Sequence, residues 1–210
     1  MADPIDDELI AQLALNRVSG VGSLAFSSLL DYFGSASAVF KANRQQLSSV
    51  PDASQEAVEC ILRGLEATNV EQDLLWLEQE AGHQIITLKD MGYPPLLAQI
   101  HRPPPVLFLK GKARLLQTVQ LAIVGSRNPT PGGADNAREF ARNLAATGLT
   151  ITSGMATGID GAAHLGALSV KDAFKGERHG RTIAVAATGL DRIYPSRHRD
   201  LAHEIAENGL

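Results

Sequence analysis

The sequence predicts an α/β protein in which a Rossmann-like parallel sheet with helices on both faces follows a small all-α domain. Two observations support this prediction. Apolar residues recur at helical spacing through the first 80 positions, whereas apolar strands and amphipathic helices alternate from Val119 onward. We therefore divide the chain into a helical domain, residues 1–80, and a sheet domain, residues 81–210.

The helical domain begins with apolar positions at Leu9, Ile10 and Leu13. Glycines 20 and 22 then permit a tight turn and leave backbone N–H groups exposed before the next helix, as in a SAM-like or helix-hairpin-helix unit. Such N–H groups can contact a phosphate. A second candidate hairpin, residues 49–53, lacks both glycines and carries Asp52. We therefore favour a scaffold or partner-docking role for this domain over a DNA-binding role.

The sheet domain starts with a proline-rich connector, residues 82–111, which contains two short apolar runs and is predicted to form an added strand pair. Regular alternation follows. The predicted strands are Val119–Gly125, Leu149–Ser153 and Thr182–Ala187, and the predicted helices are Gly133–Thr147, Gly158–Ser169 and Arg197–Glu207. The stretch from Lys171 to Arg181 is predicted to be an exposed, mobile loop, with its role left open.

Charge is divided unequally along the chain. Residues 1–100 contain 5 basic and 14 acidic residues, a net charge of -9, while residues 101–210 contain 14 and 9, a net charge of +5. This asymmetry suggests a polyanion-binding face in the second half, although a few solvated arginines would give the same balance.

Composition excludes several protein classes. The hydrophobic fraction of 44% is ordinary for a globular protein. No apolar run is long enough to span a membrane, and the acidic start lacks the order of a signal peptide, so we expect a cytoplasmic protein. The single cysteine, Cys60, excludes an internal disulfide and is expected to be a packed core thiol.

Ligands of a parallel α/β sheet bind beyond the carboxyl ends of its strands, so three loops are candidate sites. The first loop, residues 125–133, offers Gly125, the hydroxyl of Ser126, the guanidinium of Arg127 and a helix N-terminus. Each of these suits a phosphate oxygen. The pattern is not GxGxxG, so a dinucleotide site is poorly supported.

The second loop, residues 153–160, places Ser153, Gly154 and Gly158 at the next strand end. Asp160 and His164 follow on one helix face and suit an acid/base pair, metal ligands or a structural hydrogen bond. Without a third ligand at a plausible spacing a metal is disfavoured, and we expect the structural hydrogen bond. No cofactor is predicted.

The third loop, residues 188–199, is the most basic and aromatic stretch of the chain. It contains Arg192, Tyr194, Arg197, His198 and Arg199. Arginines neutralise phosphates and a tyrosine ring stacks on bases, a combination that binds single-stranded nucleic acid without sequence specificity. Basic residues at a helix N-terminus oppose the helix dipole, which favours a functional role over incidental charge.

The motifs of the three loops resemble those of a known family. They are Val124-Gly125-Ser126-Arg127, then residues 153–160 with Ala163-His164 and Ala167-Leu168, then Thr188-Gly189-Leu190-Asp191 and Tyr194-Pro195. In this order and spacing they resemble the DprA/Smf family of DNA-processing proteins in bacterial natural transformation. The likeness extends to the helical domain and to the prolines of the connector.

The resemblance implies an extended Rossmann fold, single-stranded DNA binding, dimerisation through that fold and transfer of DNA to the RecA recombinase, with no catalytic reaction. It implies that Arg127 is the main phosphate-binding arginine, with Ser126 and the loop glycines around it. The stretch Lys171–Gly180 is longer than the family leads us to expect. The chain also stops before the family's next strand, which suggests a fragment lacking the sheet edge and any C-terminal winged helix.

Two alternatives remain open. Nucleotide phosphoribohydrolases of the lysine decarboxylase-like type share a Gly-Ser-Arg loop but use a PGGxGTxxE motif, and here Pro131-Gly132-Gly133 continues as Ala134-Asp135 within the first loop. Alternatively, the acidic helical domain makes the chain chiefly an interaction module, and the sheet loops hold a single phosphate ligand.

Overall fold

The computed structural model describes residues 6–170 and 181–210. The chain forms two units. One consists of Met1–Glu80 and Ile85–Leu107, and the other of Ala81–Gln84 and Phe108–Leu210. Most of the proline-rich connector thus belongs with the helical unit. Within the described residues, no helix has both the length and the apolar character that a membrane span needs.

The helical unit is built from short helices, four of which have a side-chain N-cap. They are α1 (Asp7–Arg17), α2 (Ser23–Phe33), α3 (Ala36–Lys41), α4 (Arg44–Ser48), α5 (Gln55–Ile61) and α6 (Glu71–Gln79). Side chains of Asp6, Ser35, Asn43 and Ser54 accept N-terminal N–H groups, which would otherwise lack partners. The helices enclose an apolar core around the fully buried Phe26, and half-buried Cys60 packs against that core.

The turn between α1 and α2 depends on Gly20. Its φ of +83° suits glycine, and a β-carbon there would lie 2.8 Å from Ser54 Oγ and 2.9 Å from the Ala57 backbone nitrogen. Packing against α5 therefore accounts for this glycine without a phosphate.

A two-stranded sheet pairs β1 (His83–Thr87) with β2 (Val106–Lys110), as the apolar runs predicted. The short helix α7 (Pro95–Ala98) lies between them in sequence. In the same connector the Tyr93 hydroxyl donates to the Pro104 carbonyl at 2.8 Å, so the tyrosine holds the proline-rich segment in place.

The second unit contains a three-stranded parallel sheet in the order β3 (Gln120–Ala122), β4 (Thr150–Gly154), β5 (Arg181–Val185). Leu121 pairs with Ile151, which pairs with Thr182. Beyond β5, the N–H of Leu210 donates to Thr182 and its carbonyl accepts from Ala184. The predicted α/β class, parallel sheet and N-terminal helical region are confirmed.

Among the described residues, three α-helices complete this unit, namely α8 (Pro131–Ala146), α9 (Ile159–Leu168) and α10 (Arg199–Asn208). Helix α9 contacts both of the others, and Ile151 and Ala184 pack against this layer from the sheet. The described helices of the unit therefore lie on one face, where the sequence predicted helices on both. The predicted loop Lys171–Arg181 lies outside the described residues, except for Arg181, which begins β5.

The seam between α8 and α9 consists of small residues, including the fully or almost fully buried Ala141, Ala145, Ala163 and Ala167. A β-carbon on Gly166 would overlap the Arg138 carbonyl oxygen and lie 2.9 Å from the carbonyl carbon. Backbone of one helix thus touches backbone of the other, and no methyl group fits between them.

A matched pair of glycine substitutions tests this seam. Gly166→Ala should lower the free energy of unfolding by about 1–3 kcal/mol, since an extra methyl in a filled core forces the helices apart. Gly132→Ala, in the first turn of α8 with open space around its Cα, should be neutral or stabilising by up to about 1 kcal/mol. Urea unfolding of both variants gives the comparison, and equal stability of the two would contradict the proposed packing.

Candidate nucleic-acid interface

The three predicted loops lie at the carboxyl ends of β3, β4 and β5, and each is followed by a helix. Helices α8, α9 and α10 therefore begin at one edge of the sheet. The positive ends of their dipoles lie there, which favours an anionic ligand at this edge.

The backbone of the first loop is fixed by the second. The Ser126 carbonyl accepts from the Ile159 N–H at 3.1 Å, and the Arg127 carbonyl accepts from the Thr157 hydroxyl at 3.1 Å. The Ile159 N–H, which a helix N-terminus could offer to a phosphate, is thus used within the protein.

Glycines allow this contact between the loops. Gly158 has φ +85°, and a β-carbon there would overlap the Ser126 carbonyl oxygen and lie 2.7 Å from that of Arg127. A β-carbon on Gly125 would lie 2.7 Å from the Ile159 side chain. Both glycines are therefore required for close approach of the two loops.

The side chains of the first loop face solvent. Arg127 is exposed, and its guanidinium has no hydrogen-bond or ion-pair partner among residues 6–170 and 181–210. The Ser126 hydroxyl accepts from the Asn128 N–H at 3.1 Å and is also exposed. Thr130 caps α8 by accepting from the Gly133 N–H, and Pro131 begins that helix.

The second loop faces inward. The buried Ser153 hydroxyl donates to the Ile123 carbonyl at 2.6 Å, and a β-carbon on Gly154 would lie 2.6 Å from Asp160 Oδ2. That buried carboxylate accepts from the Ala156 N–H. The side chains of Ser153 and Asp160 are thus engaged within the protein, where they shape the loop.

His164 of α9 is fully buried against β4 and β5. Its Nε2 lies 2.8 Å from the Gly154 carbonyl, to which it must donate, and its Nδ1 lies 2.7 Å from the Thr182 hydroxyl. Burial lowers the pKa of His164 despite opposing contributions from the Gly154 hydrogen bond and the Asp160 charge. The sequence analysis favoured a structural hydrogen bond for Asp160 and His164. The two side chains do not bond to each other, but each makes its own hydrogen bond to the second loop.

The third loop exposes most of its basic and aromatic side chains. Tyr194 is 73% exposed, Arg197 and Arg199 are exposed, and Arg192 lies 3.8 Å from Asp191 in an exposed ion pair. Such a pair contributes little, so a phosphate can compete for the guanidinium. His198 differs from these residues because it is half-buried and its Nδ1 lies 3.1 Å from the Met155 carbonyl.

Three polar groups important to the site were not predicted: the Thr157 hydroxyl, the Thr182 hydroxyl and the Met155 carbonyl. Thr182 carries a recognisable signal, since its register with Ile151 places it on the helix face. A polar residue at such a position needs a buried partner, here His164. The described residues contain no cluster of three or more His, Cys, Asp or Glu that would hold a metal ion.

Comparison with known proteins agrees with these motifs. Residues 84–210 match the family described as DNA recombination-mediator protein A. The chain belongs to this DprA/Smf family. The Smf protein of Synechocystis is 37% identical over 202 residues, which are 94% of this chain and 48% of the relative. Escherichia coli Smf is 42% identical over 141 residues, 67% of this chain and 35% of the relative.

The fold comparison extends to the helical unit. The crystal structure of DprA from Streptococcus pneumoniae superposes with a TM-score of 0.71 at 27% identity, covering 93% of this chain and 63% of that one. The chain spans less than half the length of the Synechocystis and E. coli Smf proteins. The predicted DprA/Smf resemblance is confirmed.

The depressed pKa of His164 predicts acid sensitivity. Below the unfolded-state pKa of about 6.5 the unfolded chain binds a proton that the folded imidazole resists, so the free energy of unfolding falls with pH by up to about 1.4 kcal/mol per unit. The loss ends below the folded-state pKa. Urea unfolding between pH 8 and pH 5 should show this slope, and His164→Gln should flatten it, whereas an equally steep slope in the variant would contradict the assignment.

Proposed function

We propose that this chain binds single-stranded DNA along the edge formed by the three loops, without catalysing a reaction, as part of DNA processing. The observation that carries the proposal is the combination of fixed backbones and free side chains. Hydrogen bonds join the first loop to the second and the second to the third, while Arg127, Arg192, Tyr194, Arg197 and Arg199 face solvent.

The geometry favours binding through side chains over a backbone cradle. Carbonyls, hydroxyls and several N–H groups of the first two loops are engaged with each other, so Ser153, Gly154 and Gly158 support the site from beneath. Phosphate contact then falls to the arginines, with the exposed Ser126 hydroxyl beside Arg127. Such guanidinium–phosphate pairs form charge-assisted, often bidentate hydrogen bonds.

Tyr194 supports the choice of a single strand. A ring that is 73% exposed has no packing role comparable to that of the buried Tyr93, and its face is free to stack on an unpaired base. In a duplex the bases stack on each other and present only their edges. Arginines with an exposed aromatic ring therefore suit a single strand better than a double one.

Family membership extends the proposal beyond the site. We infer a cytoplasmic protein that protects incoming DNA during natural transformation, loads RecA and forms homodimers through the sheet unit. The helical unit we assign to scaffolding or partner docking, because residues 1–100 carry a net charge of -9 and Gly20 has a packing role. A deletion of residues 1–107, which removes the whole helical unit, should keep DNA binding and lose partner binding if this division is right.

Replacing Arg127 tests the site directly. Arg127→Ala should raise the Kd for a labelled single-stranded oligonucleotide about 10- to 150-fold, since a hydrogen bond to a charged group contributes about 1.5–3 kcal/mol. For four arginine contacts the wild-type plot of log K against log[salt] should have a slope of about -3, and the variant's slope should be shallower by about 0.7.

Arg142→Ala is the matched control for charge. Arg142 lies on α8 and pairs with Glu139 on its own helix, so its loss should change the Kd by no more than about twofold. If Arg127→Ala and Arg142→Ala raised the Kd equally, the effect would reflect loss of overall positive charge and not a specific contact of Arg127. An Arg127→Ala protein that binds like wild type would refute the assignment of this loop, and a duplex bound more tightly than the single strand would refute the choice of substrate.

The nucleotide-hydrolase alternative makes a separate prediction. Within the first loop, residues 131–135 lack the glutamate of the hydrolase motif, and the one buried acid of the second loop, Asp160, accepts a backbone N–H. Incubation with nucleoside 5′-monophosphates should therefore release no free base by chromatography. Base release that disappears in Arg127→Ala would establish the enzyme and overturn the non-catalytic proposal.

A further inference from the structure

His198 stands apart from the other residues of the third loop. It ends the 3₁₀ helix Ser196–His198 and directly precedes α10, and it is half-buried where its neighbours Arg197 and Arg199 are exposed. Its ring therefore points toward the protein, whereas the sequence had grouped it with the DNA-binding side chains.

The ring makes a directional contact with the second loop. A carbonyl oxygen only accepts, so the 3.1 Å contact between Nδ1 and the Met155 carbonyl requires that Nδ1 carries the proton and donates. Among the described residues, the other hydrogen bonds of the third loop remain within that loop: from the Arg192 N–H to Gly189, from the His198 N–H to Pro195 and from the Thr188 hydroxyl to Arg192. His198 is thus the residue whose hydrogen bond ties the loop to its neighbour.

Helix α9 provides the surface on which the ring rests. A β-carbon on Gly161 would lie 3.0 Å from His198 Cε1 and 3.1 Å from Nε2, which is closer than such atoms normally approach. Gly161 is buried in the first turn of a regular helix, where no positive φ requires glycine. Glycine at position 161 is therefore explained by the space that the His198 imidazole needs.

The anchoring of α10 does not depend on this contact. Leu201 and Ile205 pack with Leu168 of α9 in an apolar cluster, which also includes Met155 and Ala184. Loss of the imidazole should therefore release the third loop while the helix stays docked.

We propose that His198 is a positioning residue that fastens the third loop to the second, and that Gly161 is the small residue that admits its ring. The proposal rests on the proposed DNA-binding function. Fastening holds Arg192, Tyr194 and Arg197 in one arrangement before DNA arrives, so less conformational freedom is lost on binding. A loop without the His198 contact would have to be ordered by the DNA itself.

The test compares four variants of the full chain with wild type. His198→Ala removes the donor, and His198→Asn restores it, because Asn Nδ2 is as far from Cβ in bonds as His Nδ1. Gly161→Ala displaces the ring without altering its chemistry, and His203→Ala removes an exposed imidazole from α10 as the control. Amide hydrogen exchange of residues 189–198 is measured beside affinity for a single-stranded oligonucleotide at several salt concentrations.

His198→Ala and Gly161→Ala should speed exchange in the third loop about fivefold, the effect of losing one ordinary hydrogen bond, and weaken DNA binding by a similar factor. The salt slope should stay at the wild-type value, because a positioning residue neutralises no phosphate. His198→Asn and His203→Ala should behave like wild type in both measurements.

Three outcomes would overturn the proposal. Unchanged loop exchange in His198→Ala would show that the contact does not fasten the loop. A shallower salt slope in that variant would make His198 a phosphate ligand, and failure of His198→Asn to restore exchange would assign the effect to ring packing alone. Exchange is measured without DNA, so if Arg127→Ala disproves the binding site, the fastening role is still judged on its own.

Discussion

The edge of the sheet unit at which we propose DNA binding depends on the close approach of Gly158 to the first loop. Its positive φ and the absence of a β-carbon let the carbonyls of Ser126 and Arg127 lie against it, where Ile159 and Thr157 donate to them. Because these carbonyls are satisfied inside the protein, the loop backbone is held without a ligand. This backbone sets where the Arg127 side chain begins. The uncharged Gly158 therefore helps to determine the position of the Arg127 charge.

Polar groups of the second loop, at the end of β4, are likewise hydrogen-bonded within the protein. Gly154 accepts from His164, and Ala156 donates to Asp160, so most polar atoms of the second loop are used to shape it. A buried polar group without a partner would cost about 1–3 kcal/mol, which explains why an imidazole and a carboxylate are placed beneath the loop. Because the backbone groups of these loops are hydrogen-bonded within the protein, the flexible arginine side chains are the groups left to contact a ligand. Such contacts suit a polyanion with a repeating backbone and no required sequence.

Much of this architecture could be predicted from the sequence, because strand and helix patterns depend on local apolar spacing. The strand-end position of the three loops followed from the parallel topology. Side-chain direction was harder to predict. Ser153 was assigned to DNA, although it alternates with Ile151 and so shares the helix face. His198 was grouped with the arginines because its partner, the Met155 carbonyl, lies 43 residues away and backbone atoms leave no trace in residue identity. Long-range backbone contacts of this kind decide which basic residues are free.

The alanine and glycine seam between α8 and α9 affects more than stability. Small residues bring helix axes to the short end of the usual 8–10 Å range, and each of these two helices starts at one of the binding loops. The seam therefore acts as a spacer that sets how far apart the first and second loops stand. A bulkier residue at the buried Gly166 would change the spacing of the two loops at the sheet edge. The geometry of the candidate site thus constrains two sets of residues. One set is in the loops, and the other is in the α8–α9 contact that sets the distance between them.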